Sequence, residues 1–201
     1  MPKVSILPRG FKSKAEKLSA HYRDELSLHI CAPLSAFQLA EHLKIPIHVP
    51  ADYLKDQSEA SKLMGTDSED SGWSALTMQT KLKKTIIIHN PRHSATRQQS
   101  NIMHELAHII CEHKFKMKYD GINIPFGMRH FDEQQEEEAK CLGACLQITR
   151  PGLLWGFKRN MSVEDIASHF SASFDMVKYR INSTGVKAQL QYMGRSMNFK
   201  N

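Results

Sequence analysis

Residues 104–108 read His-Glu-Leu-Ala-His, an H-E-x-x-H sequence set inside the apolar stretch from Ile102 to Ile110. Such a stretch forms a buried helix. Four residues are about one helical turn, so His104 and His108 leave it on one face and can grip a single metal ion between them. Glu105 stands roughly 100° further round, where it can reach a water on that ion without being a ligand. A chain with 11 histidines can produce the pattern by accident. Here, however, Leu106, Ala107, Ile109 and Ile110 surround the pair, and histidines buried among apolar groups need a partner. A metal ion supplies one, and the spacing points to a zinc peptidase.

The rest of the chain must build a scaffold for that helix. At 201 residues and 41% hydrophobic it can bury a sizeable core. We expect a main domain over residues 1–157 and a small C-terminal helix-turn-helix-like pair with its tail over 158–201. No apolar run reaches the roughly 18 residues that a membrane span needs. The start, Met1 to Lys14, is basic and lacks an apolar core segment, which argues against secretion and for the cytoplasm. Cys31, Cys111, Cys141 and Cys145 show no C-x-x-C spacing and read as buried free thiols. A net charge of +6 permits an acidic partner, but the positive residues are scattered and the densest charge run, Asp132 to Glu138, is acidic.

Periodicity places the elements. Phe11, Ala15, Leu18, Tyr22 and Leu26 recur at steps of three and four, an amphipathic helix with its charges opposite. Ser35, with Gln38 three residues on, opens a second helix that carries Ala36, Leu39, Ala40 and Leu43 on one face. Ile45 to Pro50 predicts a short edge strand, and Asp52 the cap of a helix running to about Met64. Gly65 to Gly72 reads as a loop. Trp73–Gln79 and Thr85–His89 predict an antiparallel hairpin around the basic turn Thr80–Lys84, leading into the H-E-x-x-H helix from about Ala95. A strand beside the metal-bearing helix can hold a peptide by main-chain hydrogen bonds. Lys114 to His130 is irregular and predicts a rim of the cleft. A helix over about Glu133 to Thr149 ends before Pro151, and Ser162 and Ser173 cap two short helices.

A catalytic zinc takes three protein ligands, so one more is needed. The acidic run offers Glu133, Glu136, Glu137 and Glu138. Ala139, Leu142, Gly143 and Leu146 form the apolar face, and Glu136 points with it, whereas Glu137 groups with Lys140 and Glu133 sits near the helix start. The small Ala139 and Gly143 allow close approach to the His104 helix. Phase favours Glu136, with Glu133 and Glu137 as the alternatives in register.

These residues resemble the ImmA/IrrE family of zinc metallopeptidases. The resemblance covers Phe11 to Arg23 and Pro33 to Ala40, the segment from Asn90 through Arg97 to His108, the E-x-x-A element at Glu136 to Ala139, and Ser162 to Gly185. Departures are Ala107, often Gly in the family, and Lys140, usually Asn. The resemblance implies an α+β, zincin-like domain, its H-E-x-x-H helix packed on a small antiparallel or mixed sheet, with N-terminal helices and a C-terminal helical pair. It further implies Zn2+ held by His104, His108 and Glu136, Glu105 as catalytic base, and a helix-turn-helix repressor of phage, mobile-element or stress-regulon type as protein substrate. Tyr119, His130 and His113 are candidates for stabilising the oxyanion.

A competing reading rests on Asp165 to Ile181, spaced like a DNA-binding helix pair, with Lys178 and Arg180 available for phosphates. On it the protein is a DNA-binding or metal-sensing regulator that acts without proteolysis. Only Lys178, Tyr179 and Arg180 are strong groups on its recognition helix, so direct nucleic-acid binding is the less favoured expectation.

Overall fold

The computed structural model describes residues 6–65, 73–80, 82–114, 118–119, 122–123 and 132–192, and the statements below concern those residues. Helices α1 (Phe11–Glu25) and α2 (Ala36–His42) precede a two-residue strand, β1 (Ile47–His48), and helix α3 (Gln57–Met64). A hairpin of β2 (Ala75–Gln79) and β3 (Thr85–His89) leads into α4 (Ala95–Ile110). After the short pair β4 (Lys118–Tyr119) and β5 (Ile122–Asn123), the chain closes with α5 (Glu133–Gln147), α6 (Arg150–Lys158), α7 (Val163–His169), α8 (Phe174–Thr184) and α9 (Val186–Tyr192). The class is α+β, as expected.

The sheet has the order β1-β3-β2 and is mixed. β3 runs antiparallel to β2, with Thr77 opposite Ile87, and parallel to β1, with Ile47 opposite Ile87. The central strand is therefore Thr85–His89, whose Ile87 is fully buried. Gln79 and Thr85 bound the expected turn, closed by Thr80 N–H donating to Lys84 O at 2.8 Å. On the sheet lies α4, and α5 lies along α4 and α1. Phe11, Leu39, Ile87, Ile102, Leu106 and Leu142 bring these elements into one core.

Two local expectations need correction. Asp52 does not cap α3. It ends a 3-10 turn, Pro50–Asp52, and accepts the Val49 N–H, while Asp56 caps α3 by accepting from Ser58 N–H at 2.8 Å. α5 ends before Pro151, as expected. Pro151 occupies the first turn of α6, where its missing N–H costs nothing, and Thr149 Oγ1 caps the helix by accepting from Gly152 N–H. Finally, α1 is amphipathic as expected, with Lys12, Lys14, Lys17 and Asp24 exposed, but its buried face also takes in two polar residues. Ser19 and Arg23 are buried at 0% and 1% exposure. Ser19 Oγ donates to Cys145 O, and the Arg23 guanidinium donates to Ala32 O, Ser19 O, Leu146 O and Gln147 O. The last two are end carbonyls of α5, which a helix leaves without partners of its own. α1 is thus stitched to the α5 C-terminus by hydrogen bonds.

A second core gathers Ile148, Leu153, Ile166, Phe170, Val177 and Leu190 from α6 to α9 and the joint before them. Ser162 and Ser173 cap α7 and α8 as expected. α9 was not foreseen from sequence. All four cysteines are free. No helix among the described residues is long and apolar enough to cross a membrane.

Candidate active site

His104, Glu105 and His108 all sit on α4, whose Ser94 cap accepts the Arg97 N–H. Glu136 sits in the first turn of α5, where Asp132 accepts the Gln135 N–H. Contact between the two helices is made possible by Gly143. A Cβ there would lie 3.2 Å from the Met103 carbonyl oxygen and 3.4 Å from His104 Cα. Glu136 precedes Gly143 by about two turns on the same face, so this close approach sets it opposite the two histidines.

The resulting cluster is compact. The Nε2 atoms of His104 and His108 are 3.0 Å apart. Glu136 Oε2 is 3.3 Å from His104 Nε2, and Oε1 is 3.6 Å from His108 Nε2. A tetrahedral ion with bonds of about 2.0 Å separates its ligand atoms by about 3.3 Å, so the three donors fit one ion. His108 is nearly sealed at 2% side-chain exposure, whereas His104 and Glu136 open to solvent at 35% and 47%. The Glu136 carboxyl is held below its ordinary pKa chiefly by hydrogen bonding with His104, against the opposing effect of burial. It is therefore ionised at neutral pH, as a metal ligand must be. Glu137 turns outward to Lys140, and Glu133 is exposed.

Glu105 is buried at 8% exposure on the side of α4 that faces the hairpin. Its Oε2 accepts from Thr77 N–H at 2.8 Å and from Thr77 Oγ1 at 2.6 Å. Edge strand β2 therefore fixes the carboxylate beside the histidine pair. A cleft of about 350 Å³ opens there, lined by Thr77, Gln79, Thr85, His108 and His113 among others.

Two features of the site were not read from sequence. Thr77 is an ordinary strand threonine until the sheet brings it to Glu105. The second feature is a pair: His113 Nδ1 lies 2.9 Å from His108 Nδ1, and His113 Nε2 lies 3.0 Å from Glu138 Oε2. The His113 side chain is 5% exposed and pairs with Glu138. His130 and the Tyr119 side chain lie outside the described residues. The cations proposed for DNA contact are also placed. Arg180 is buried at 2% exposure, donating to Ile148 O at 2.7 Å and paired with Glu16, while Lys178 is exposed above the Phe174 ring. Only one of the two remains available to a phosphate.

No curated protein matches the chain. The family model for the IrrE N-terminal-like domain of the M78 peptidases matches residues 52–182. The matched span begins after α1 and α2 and includes the hairpin, the His104 helix and the Glu136 helix. Well over half of the chain is covered, and it holds a cluster of two histidines and a carboxylate able to take one metal ion. The chain belongs to the M78, IrrE N-terminal-like, family of metallopeptidases.

Proposed function

We propose that this protein is a cytoplasmic zinc-dependent endopeptidase with a zincin-like catalytic domain, and that it cuts a peptide bond in a helix-turn-helix repressor. The observation that carries the reading is the convergence of His104 Nε2, His108 Nε2 and the Glu136 carboxylate within 4.8 Å, with the Glu105 carboxylate on the same helix. Two imidazoles and one carboxylate form the donor set of a catalytic zinc, leaving the fourth position open. His104, His108 and Glu136 would hold such an ion, and it would supply an acidified water and polarisation of the scissile carbonyl.

The chain's own residues supply the rest. Glu105 takes the water proton and returns it to the leaving amine. Thr77 holds its Oε2 through the backbone N–H and the side-chain hydroxyl, which fixes the orientation of the carboxylate. Burial of Glu105 and His108 keeps the inner side of the site dry, while the exposed sides of His104 and Glu136 admit the substrate. Edge strand β2 runs along the cleft and offers an extended peptide its main-chain groups.

Elemental analysis of the purified protein tests the reading directly. We expect about one equivalent of zinc, lost in His108→Ala and Glu136→Ala and kept in Glu137→Ala. Glu105→Gln should keep the metal and lose cleavage of candidate repressors. Absence of bound metal after zinc is supplied would refute the enzyme reading.

A further inference from the structure

The turn that ends α4 is built to bring a third histidine to the site. Glu112 adopts a left-handed φ of 55°. Its N–H donates to Ile109 O, and the His113 N–H donates back to His108 O at 3.0 Å. This is a Schellman cap with a non-glycine residue at the left-handed position. It folds His113 beneath His108, so that their Nδ1 atoms meet at 2.9 Å. Glu138 closes the row from α5. Its Oε2 lies 3.0 Å from His113 Nε2, and its Oε1 accepts from Gln134 Nε2 at 2.7 Å.

Tautomers follow from counting protons. If His108 gives Nε2 to a metal, the neutral ring carries its hydrogen on Nδ1. That hydrogen has His113 Nδ1 as acceptor, so His113 carries its own on Nε2. Glu138 accepts it. Each link then holds one proton, and the single charge in the row is the carboxylate, 13% exposed at its far end.

Resting on the zinc reading above, we propose that His113 and Glu138 are positioning residues for the metal site. Together they fix the ring orientation and tautomer of His108 and raise its basicity through a carboxylate-histidine-histidine row. Partners of this kind behind a ligating histidine are commonly worth 10–100-fold in metal affinity. The row is longer by one imidazole than a direct carboxylate-histidine contact. Its extra ring lets a carboxylate on α5 act on a ligand of α4 while its neighbour Glu136 serves as a ligand itself.

The experiment is zinc affinity of the full chain by competition with a chromophoric chelator, with the melting temperature of each metal-free variant as the folding control. His113→Leu removes the acceptor and should weaken zinc by about 10–100-fold. His113→Asn keeps an oxygen near the Nδ1 position and should recover most of that loss, while Glu138→Gln, which keeps the acceptor and loses the charge, should fall between. Wild-type affinity in His113→Leu overturns the proposal, as does a His113→Asn no better than the leucine variant. Cys111 is the third member of a possible ligand group with His113 and Glu138. Two bound cobalt ions, with a thiolate charge-transfer band lost in Cys111→Ser, would make the pair ligands of a second ion and overturn it too. Failure of the wild type to bind zinc refutes the endopeptidase reading itself, and this proposal with it.

Discussion

Gly143 controls the distance between the two halves of the site, so enlarging it should separate stability from metal binding in a graded way. The Cβ of Gly143→Ala meets backbone, the Met103 oxygen at 3.2 Å and His104 Cα and N at 3.4 Å, and no side chain can swing aside. Overpacking of this kind costs about 1–3 kcal/mol, and alanine returns about 1 kcal/mol of helix propensity over glycine. The net loss for alanine is therefore about 0–2 kcal/mol. Gly143→Val adds two methyls and the χ1 restriction of a β-branched residue, for a net loss of about 3 kcal/mol. The helices yield by moving apart at His104, where Glu136 Oε2 must stay within reach of Nε2, 3.3 Å away. Zinc sites tolerate about 0.2 Å in each bond, so a shift of half an ångström is felt. We expect zinc affinity to fall severalfold in the alanine variant and at least tenfold in the valine variant. Urea unfolding of the metal-free proteins and chelator competition measure the two effects separately. A valine variant within 0.5 kcal/mol of wild type, binding zinc equally well, would refute the claim that contact at Gly143 sets the site.

Three further outcomes are expected. Arg23→Met strands the end carbonyls of α5 and should cost about 3–5 kcal/mol in urea unfolding, since the buried guanidinium serves four carbonyls. Thr77→Val and Glu105→Gln, combined in a double-mutant cycle, should show a coupling of about 1.5–3 kcal/mol, the worth of a hydrogen bond to a charged group, whereas Thr77→Ser keeps the donor and the coupling. At alkaline pH, burial pushes the Cys111 thiol up to about 11 from 9.0. The folded protein thus holds a proton that the unfolded chain releases, so this contribution is complete below pH 9 and lost as pH rises to 11. Two units correspond to about 2.7 kcal/mol, reduced to about 1 kcal/mol because the thiol is partly exposed. Cys111→Ala should flatten the wild-type decline between pH 9 and 11 by that amount, as followed by urea unfolding at stepped pH.

What could be read from sequence was what periodicity carries. α4 was legible because its apolar residues and its two histidines obey one helical period. The placement of Glu136 followed from its phase with Ala139 and Gly143, whose small side chains also announced a close helix contact. The hairpin was legible from two β-prone runs flanking a polar turn. What escaped were partnerships between polar groups far apart in the chain. Arg23 looks like a solvent-facing charge on α1, and nothing nearby says that the bare carbonyls of Leu146 and Gln147, more than 120 residues on, will take it in. Thr77 and Glu105 meet only because the sheet delivers one to the other. His113 lies five residues past His108, beyond the helix whose period could have placed it, and a glutamate at the left-handed cap position hides the turn that glycine would have signalled. Helical phase tells which face a residue shares, and the candidate ligands His104, His108 and Glu136 share faces. Their supporting groups are chosen by tertiary contact, so they become visible only once α4, α5 and β2 stand next to each other.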